Sequence, residues 1–143
     1  MKREHRDALL GPDGCLAAAL AGGEPVALRV SGGCMEPTLA DGSTVRIERT
    51  RFYLPGDVVA FHCPYQDRLL AHRFLGYVRR RGVWKLMTMP DRGLAPDPLV
   101  EASRALGRVV GQRGATPAVT PGLRLRSFAQ YLRWSVRYAI RDF

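Results

Sequence analysis

The sequence has no hydrophobic run long enough to cross a membrane as a helix, since no stretch approaches the roughly 18 apolar residues required. Its first ten residues, MKREHRDALL, contain no apolar segment typical of a secretory signal peptide. Cysteine is also rare, and Cys15, Cys34 and Cys63 are spaced neither as a disulfide framework nor as a CxxC metal pair. These absences predict a cytoplasmic protein in a reducing compartment, and we expect neither a metal ion nor a cofactor.

Acidic residues are few, because 13 Asp and Glu stand against 22 Lys and Arg, for a formal net charge of +9. The excess concentrates in residues 112–143, which contain six arginines and one aspartate. Such a surplus attracts phosphate backbones, acidic lipid headgroups or acidic peptides, although a solvated basic surface has the same composition. Nucleic acid is the least favoured partner, because the N-terminal 25 residues are too few for a separate helix-turn-helix segment.

Glycine and proline are plentiful, with 15 and 10 residues in a chain of 143, which favours one loop-rich, mainly β domain. Segment 58–63 is apolar on both faces and is therefore expected at the centre of the sheet. A basic turn at 79–82 predicts a hairpin, and the Pro- and Asp-rich segment 90–99 predicts a loop. The predicted strands are 26–30, 44–48, 58–63, 69–78, 83–88 and 107–111.

Both ends of the chain predict helices. Residues 1–25 contain a short helical pattern, 26–112 form the β domain, and 113–143 comprise a linker and a basic amphipathic helix. Three roles are open for that helix: its apolar stripe packs on the β domain, it makes peripheral contact with an anionic membrane, or it holds a substrate or partner protein. The stripe comprises Leu125, Phe128, Leu132, Val136, Ala139, Ile140 and Phe143.

The segment 30–39, VSGGCMEPTL, places Cys34 between elements that stiffen and turn the chain. The glycines of Ser31-Gly32-Gly33 allow a sharp bend, and Pro37 keeps the preceding residue out of the helical region. A cysteine on such a bend could act as a nucleophile beside free backbone N–H groups, although a cysteine in an apolar setting is usually an ordinary buried residue.

A cysteine nucleophile needs a base and usually a group that orients the base. His5 lies near the N-terminus, His62 ends a predicted strand, and His72 lies within one. Asp91 and Asp97 could orient a histidine, or could simply form turns in their Pro-rich loop.

Several segments together resemble the signal peptidase I / LexA peptidase superfamily, over roughly residues 26–112. They are, in order, SGGCMEPTL (31–39), DGSTV (41–45), PGDVVAF (55–61), AHRFLG (71–76), Pro-Asp-x5-Asp-Pro (90–98) and LGRVV (106–110). The resemblance implies a coiled β-sheet body of the signal-peptidase/LexA type, with Cys34 at the position of the nucleophilic serine. In the His-Arg branch of that superfamily, the histidine is the base, which corresponds to His72.

The resemblance also implies roles for neighbouring residues. Asp97 would orient His72, and the supporting residues and oxyanion donors would be Ser31, Gly33, Arg73 and Asp91. Met35 and Pro37 would contact a peptide that adds as an extended strand near 26–34.

Two departures from the family pattern bear on function. Cysteine replaces serine at position 34, and Met89-Pro90 stands where the family usually has Lys-Gly before the aspartate. A Cys-His-Asp arrangement is chemically self-consistent. The resemblance therefore implies a cysteine endopeptidase that cleaves a leader or precursor peptide, the alternative being an inactive peptide-binding member of the same fold.

Overall fold

The computed structural model describes residues 26–29, 35, 44–65, 68–112 and 119–141. The helix expected within 1–25 lies outside these residues. The elements are β1 Val26–Arg29, β2 Thr44–Glu48, β3 Val58–Cys63, β4 Arg68–Arg80, β5 Val83–Met89, β6 Val100–Glu101, a 3-10 helix Ala102–Arg104, β7 Ala105–Gln112 and α1 Pro121–Arg141. Among the described residues, no helix is long and apolar enough to span a membrane.

The strands form an antiparallel sheet in the order β1-β2-β7-β3-β4-β5-β6. The predicted mainly β fold with a C-terminal helix is therefore confirmed. β3 lies in the middle of this order, as expected from a segment that is apolar on both faces. β1 lies at one edge.

The hairpin between β4 and β5 is tighter than the sequence predicted. The expected four-residue turn at 79–82 was wrong, because Arg79 and Arg80 continue β4 and pair with Trp84 and Val83. Only Arg81 and Gly82 form the turn, with φ of 50° and 78°. Two residues of positive φ are typical of the type I′ turn, whose twist matches that of the flanking strands.

A register shift in the pairing of β4 with β5 changes which side chains share a face. The shift lies between Phe74 and Gly76, so that Leu75 is the extra residue of a bulge. Beyond the bulge, Tyr77 packs in the same apolar cluster as Phe74, although the two residues are three positions apart. A regular strand would put these two side chains on opposite faces.

The core consists of apolar clusters on the two faces of the sheet. Cluster 1 centres on Met35, Val45, Ile47, Val58, Ala60 and Val109. Cluster 2 centres on Tyr53, Val59, Phe61, Cys63, Phe74, Leu86 and Val100. Cluster 3, formed by Leu75, Met87 and Met89, packs against Tyr131, Trp134 and Tyr138 of α1.

The helix α1 packs on the sheet through an aromatic face. The Tyr131 hydroxyl donates to the Tyr77 carbonyl over 2.7 Å, and Arg124 Nη1 lies 3.1 Å from the buried Asp57 carboxylate. The described leucine, phenylalanine and valine side chains of the predicted apolar stripe face away from this contact. Leu125 is 70% exposed and Val136 is 58% exposed, so the first of the three open roles, packing of the stripe on the β domain, is wrong for these residues.

Candidate active site

The segment that carries the expected nucleophile is described only at one position. Ser31, Gly33, Cys34 and Pro37 lie outside the described residues, whereas Met35 lies within them. Within the described residues, the candidate site consists of the histidine, its aspartate and the loop 90–99.

His72 lies on β4, opposite Val59 of the central strand β3. Only 6% of its surface is exposed, and its ring meets the Phe61 ring edge-on with 6.0 Å between centroids. Since side chains directly opposite one another share a face of the sheet, His72 lies on the face of cluster 2. Pairing with the central strand β3 fixes the position of its backbone.

The Nδ1 atom of His72 lies 2.7 Å from Oδ2 of Asp97. The same Oδ2 accepts a hydrogen bond from the Thr88 hydroxyl over 2.7 Å, and the Asp97 N–H donates to the Thr88 carbonyl over 2.8 Å. Thr88 is 1% exposed and sits on β5, the neighbour of β4. Asp97 is thus attached to the sheet at two points, although it belongs to a loop.

These contacts determine the proton arrangement of the pair. An ionised carboxylate can only accept hydrogen bonds, so Nδ1 of His72 donates to Asp97. In the neutral ring the lone pair then belongs to Nε2, which is the nitrogen able to take a proton. The arrangement can therefore hold a histidine as a general base, because a carboxylate orients it and stabilises its charged form.

Arg73 forms a second ion pair, with Asp91. Its Nε and Nη2 atoms lie 3.0 Å and 2.6 Å from the two carboxylate oxygens, and Nη1 donates to the Gly56 carbonyl over 2.8 Å. Arg73 is opposite Val58, a member of cluster 1, and therefore lies on the other face of the sheet from His72. The bidentate pair fixes the beginning of the loop 90–99.

Met35 connects the 30–39 segment to this loop. Its sulfur accepts a hydrogen bond from the Asp91 N–H over 3.3 Å, and 2% of its surface is exposed. It packs with Val45 and Val58 in cluster 1. Met35 is a core residue in this structure, and the substrate contact implied by the resemblance stays a prediction.

Two groups that hold the site together, the Thr88 side chain and the Gly56 carbonyl, are not predicted by sequence reasoning. Sequence reasoning predicts Thr88 only as the last residue of strand 83–88, and includes Gly56 only in the motif 55–61. Their contacts join residues 9 and 17 positions apart, so no local pattern signals them. The alternation of β5 provides one clue, because it places Thr88 on the face that carries His72.

The other expected candidates lie elsewhere. His62 Nδ1 is 3.0 Å from Arg104 Nη1, at the exposed end of β3, and Cys63 is buried in cluster 2. His5 lies outside the described residues. Within the described part of the chain, no group of three or more His, Cys, Asp or Glu side chains is arranged to hold a metal ion.

An apolar cavity opens on the His72 face of the sheet. Its volume is about 400 Å³, and its lining includes Phe52, Tyr53, Tyr77 and Trp84. Burial raises the pKa of Tyr53 above its usual range, and the nearby Tyr77 adds to this effect. Although Arg51 also lines the cavity, its wall is mostly apolar and aromatic, which suits an apolar side chain better than a charged one.

A smaller cavity of about 280 Å³ lies between the loop 90–99 and α1, lined in part by Arg73, Asp91, Arg126 and Gln130.

No protein-family model matches this chain, and a search of curated proteins finds no match either. The resemblance of its motifs to the signal peptidase I / LexA superfamily therefore carries over to function only as a proposal.

Proposed function

We propose that the protein is an endopeptidase of the signal-peptidase type, with Cys34 as nucleophile, His72 as general base and Asp97 as the group that orients the base. The observation that carries the proposal is the buried His72–Asp97 pair, whose atoms lie 2.7 Å apart. A histidine fixed by a carboxylate is the arrangement that activates a thiol or hydroxyl nucleophile. The proposed substrate is a leader or precursor peptide.

Two contacts support this assignment over an ordinary buried histidine. Asp97 is held by both the hydroxyl and the carbonyl of Thr88, which fixes it at the ring it orients. Met35, which directly follows Cys34, contacts Asp91 of the same loop that supplies Asp97. The proposal requires the Cys34 sulfur to reach the face of the sheet that carries His72.

In the proposed reaction, Nε2 of His72 takes the proton from Cys34, and the thiolate attacks the peptide carbonyl carbon. The carbonyl π electrons move to oxygen, where the Cys34 N–H and a donor from Ser31 or Gly33 stabilise the charge, each by about 3 kcal/mol. Collapse of this intermediate breaks the C–N bond, and the leaving amine receives the proton from His72. A thioester remains on Cys34.

Hydrolysis of the thioester uses the same groups. His72 takes a proton from water, the resulting hydroxide attacks the thioester carbon, and the C–S bond breaks. The product is a carboxylic acid, and the proton on His72 returns to the thiolate. His72 acts once as base and once as acid in each half of the cycle, so Asp97 is needed throughout to stabilise its charged form.

The edge strand β1 is the proposed place for the substrate backbone. An extended peptide can add to an exposed sheet edge through main-chain hydrogen bonds. β1 pairs with β2 and is the first strand in the order of the sheet, so its other side is a sheet edge. β1 ends at Arg29, five residues before Cys34 in the sequence, and the proposal requires a peptide along this edge to reach Cys34.

The experiment compares the three cysteines of the intact chain for reaction with iodoacetamide, using peptide mapping by mass spectrometry across pH 5 to 9. We expect Cys34 to react at least about tenfold faster than Cys15, because a nearby base increases the thiolate fraction. Cys63 is the matched buried control, being 3% exposed. His72→Ala is expected to remove the advantage of Cys34. Equal reactivity of Cys34 and Cys15 in the parent protein would contradict the proposal.

A second arm tests turnover with a mixture of peptides that have small residues before the bond to be cut. The parent protein should give a thioester detectable by intact mass, followed by cleavage, and Cys34→Ala should give neither. Cleavage by Cys34→Ser would tie the site to its serine relatives. Peptide binding without a thioester, and with unreactive Cys34, would identify the protein as a peptide-binding module instead.

A further inference from the structure

The solvent-facing side of α1 carries a row of large apolar side chains. Exposed fractions are 70% for Leu125, 45% for Phe128, 49% for Leu132 and 58% for Val136. Their spacing of three and four residues puts them on one face of the helix. Single exposed apolar residues are ordinary, but four in a continuous row on one helix mark an interaction surface.

A row of arginines runs beside this apolar row. Arg126, Arg133 and Arg137 are all exposed and recur at steps of seven and four residues. Each residue turns the helix by about 100°, so this row is adjacent to the apolar row rather than opposite it. The Trp134 ring holds two of them, since Arg137 Cζ lies 4.9 Å and Arg133 Cζ lies 6.0 Å from its centroid.

The remaining side of α1 is already occupied by the sheet. Ser127 is 1% exposed, and Tyr131, Trp134 and Tyr138 pack against cluster 3. Arg124, on the other flank, is paired with Asp57. The orientation of the helix is therefore fixed: the apolar row is directed away from the sheet, and the arginine row lies on the flank between the two, where all three side chains are exposed.

We propose that this surface, the apolar row with its arginine row, binds the surface of a membrane that contains anionic lipid. The apolar side chains would enter the boundary between headgroups and acyl chains, and the arginines would contact phosphates at headgroup depth. Charge complementarity selects this partner, because residues 121–141 contain no Asp or Glu at all.

The arginine row argues against one other binding partner, and the apolar row argues against another. A second copy of the chain facing the same surface would bring two arginine rows together, which like-charge repulsion opposes. A nucleic acid would satisfy the arginines but would leave the aliphatic side chains of Leu125, Leu132 and Val136 without an apolar partner. The inference does not depend on the proposed peptidase activity.

The test measures binding of the full chain to vesicles of phosphatidylcholine, with and without 30% phosphatidylglycerol, by flotation. We expect strong binding only with the anionic lipid. Arg133→Gln/Arg137→Gln should weaken binding on the order of 20- to 30-fold, given the usual contribution of an arginine near a charged membrane. Leu132→Ser/Val136→Ser should weaken it by at least about tenfold.

Matched controls separate this surface from general charge and exposed hydrophobicity. Arg49→Gln/Arg51→Gln removes the same charge from exposed positions after β2, and Leu54→Ser/Leu94→Ser removes two exposed leucines elsewhere. Both controls should bind like the parent. All the positions changed in the test variants and in the controls are exposed. Circular dichroism verifies that each variant is folded.

Three results would overturn the proposal. The first is equal loss of binding in the charge-matched control, which would mean non-specific attraction. The second is a parent protein that dimerises without lipid and becomes monomeric in Leu132→Ser/Val136→Ser. The third is salt-sensitive retention of an oligonucleotide that also displaces the protein from vesicles.

Discussion

His72 and Arg73 are neighbours in the chain, yet their side chains bind two different aspartates on opposite faces of the sheet. The alternation of a strand produces this separation, and the loop 90–99 provides an aspartate for each face. Asp97 pairs with His72, whereas Asp91 pairs with Arg73. A six-residue offset between two aspartates thus corresponds to two distinct tasks, orientation of a base and fixation of the loop that carries the orienting group.

Replacing Asp97 by asparagine tests the first task. The amide can donate a hydrogen bond to Nδ1, which would place the ring proton on Nε2 and remove the base. We expect the rate of Cys34 acylation, or of its alkylation at neutral pH, to fall on the order of 10²- to 10⁴-fold. Stopped reactions analysed by intact mass provide the rate. Glu101→Gln, an exposed carboxylate on β6, is the control and should react like the parent.

The Thr88→Val substitution tests whether the hydrogen bond from the Thr88 hydroxyl to Asp97 holds the His72–Asp97 pair in position. The substitution keeps the buried shape but removes a hydroxyl 2.7 Å from Oδ2. Hydrogen bonds to charged groups contribute about 1.5–3 kcal/mol, so we expect a reaction roughly tenfold slower, with an altered pH profile because Asp97 loses one of its attachments beside the ring. Thr88→Ser should restore both readouts. An unchanged pH profile in Thr88→Val, alongside reduced stability, would assign Thr88 a purely structural role. Thr44→Val, at an exposed position, controls for the loss of a hydroxyl.

The sequence predicted the strands well because their signals are local. Segments 44–48 and 58–63 match β2 and β3 at both ends, since alternating or continuous apolar residues lie between clear turn residues. β6 and the 3-10 helix after it were missed, because two paired residues leave no periodic pattern. The His72–Asp97 contact was expected from the resemblance and is present, whereas its role in catalysis stays a prediction.

The orientation of α1 could not be read from hydropathy. The Leu, Phe and Val side chains form the stronger apolar stripe, yet Tyr131, Trp134 and Tyr138 face the sheet. Aromatic rings bury large areas and can also satisfy a polar end, as the Tyr131 hydroxyl does at the Tyr77 carbonyl. Arg80 completes this face with its Cζ 5.8 Å from the Tyr138 ring centroid.

Asp91→Ala tests the fixation of the loop. Arg73 is 4% exposed, so Asp91→Ala would remove a bidentate carboxylate from a buried guanidinium group. Removing one partner from a buried pair typically costs about 3–5 kcal/mol, and the 24% exposure of the Asp91 side chain favours the lower value. Urea unfolding measures the change, with Glu101→Ala as the exposed control expected within about 0.5 kcal/mol of the parent. A cost below that limit for Asp91→Ala would mean that the pair does not hold the loop.

Gly76→Ala tests how α1 is seated on β4. A Cβ at Gly76 would lie 2.3 Å from Cδ2 of Tyr131 and 2.4 Å from Cε2, so the ring or the helix must move. We expect a loss of about 1–3 kcal/mol in the free energy of unfolding, as for other overpacked contacts, together with a changed near-ultraviolet circular dichroism spectrum. Gly122→Ala is the matched control, because the nearest atom to its Cβ would be 3.9 Å away. In a Tyr131→Ala background the Gly76→Ala substitution should cost much less, since the ring it collides with is gone. Equal costs in the two backgrounds would show that Gly76 is required for a reason other than this contact.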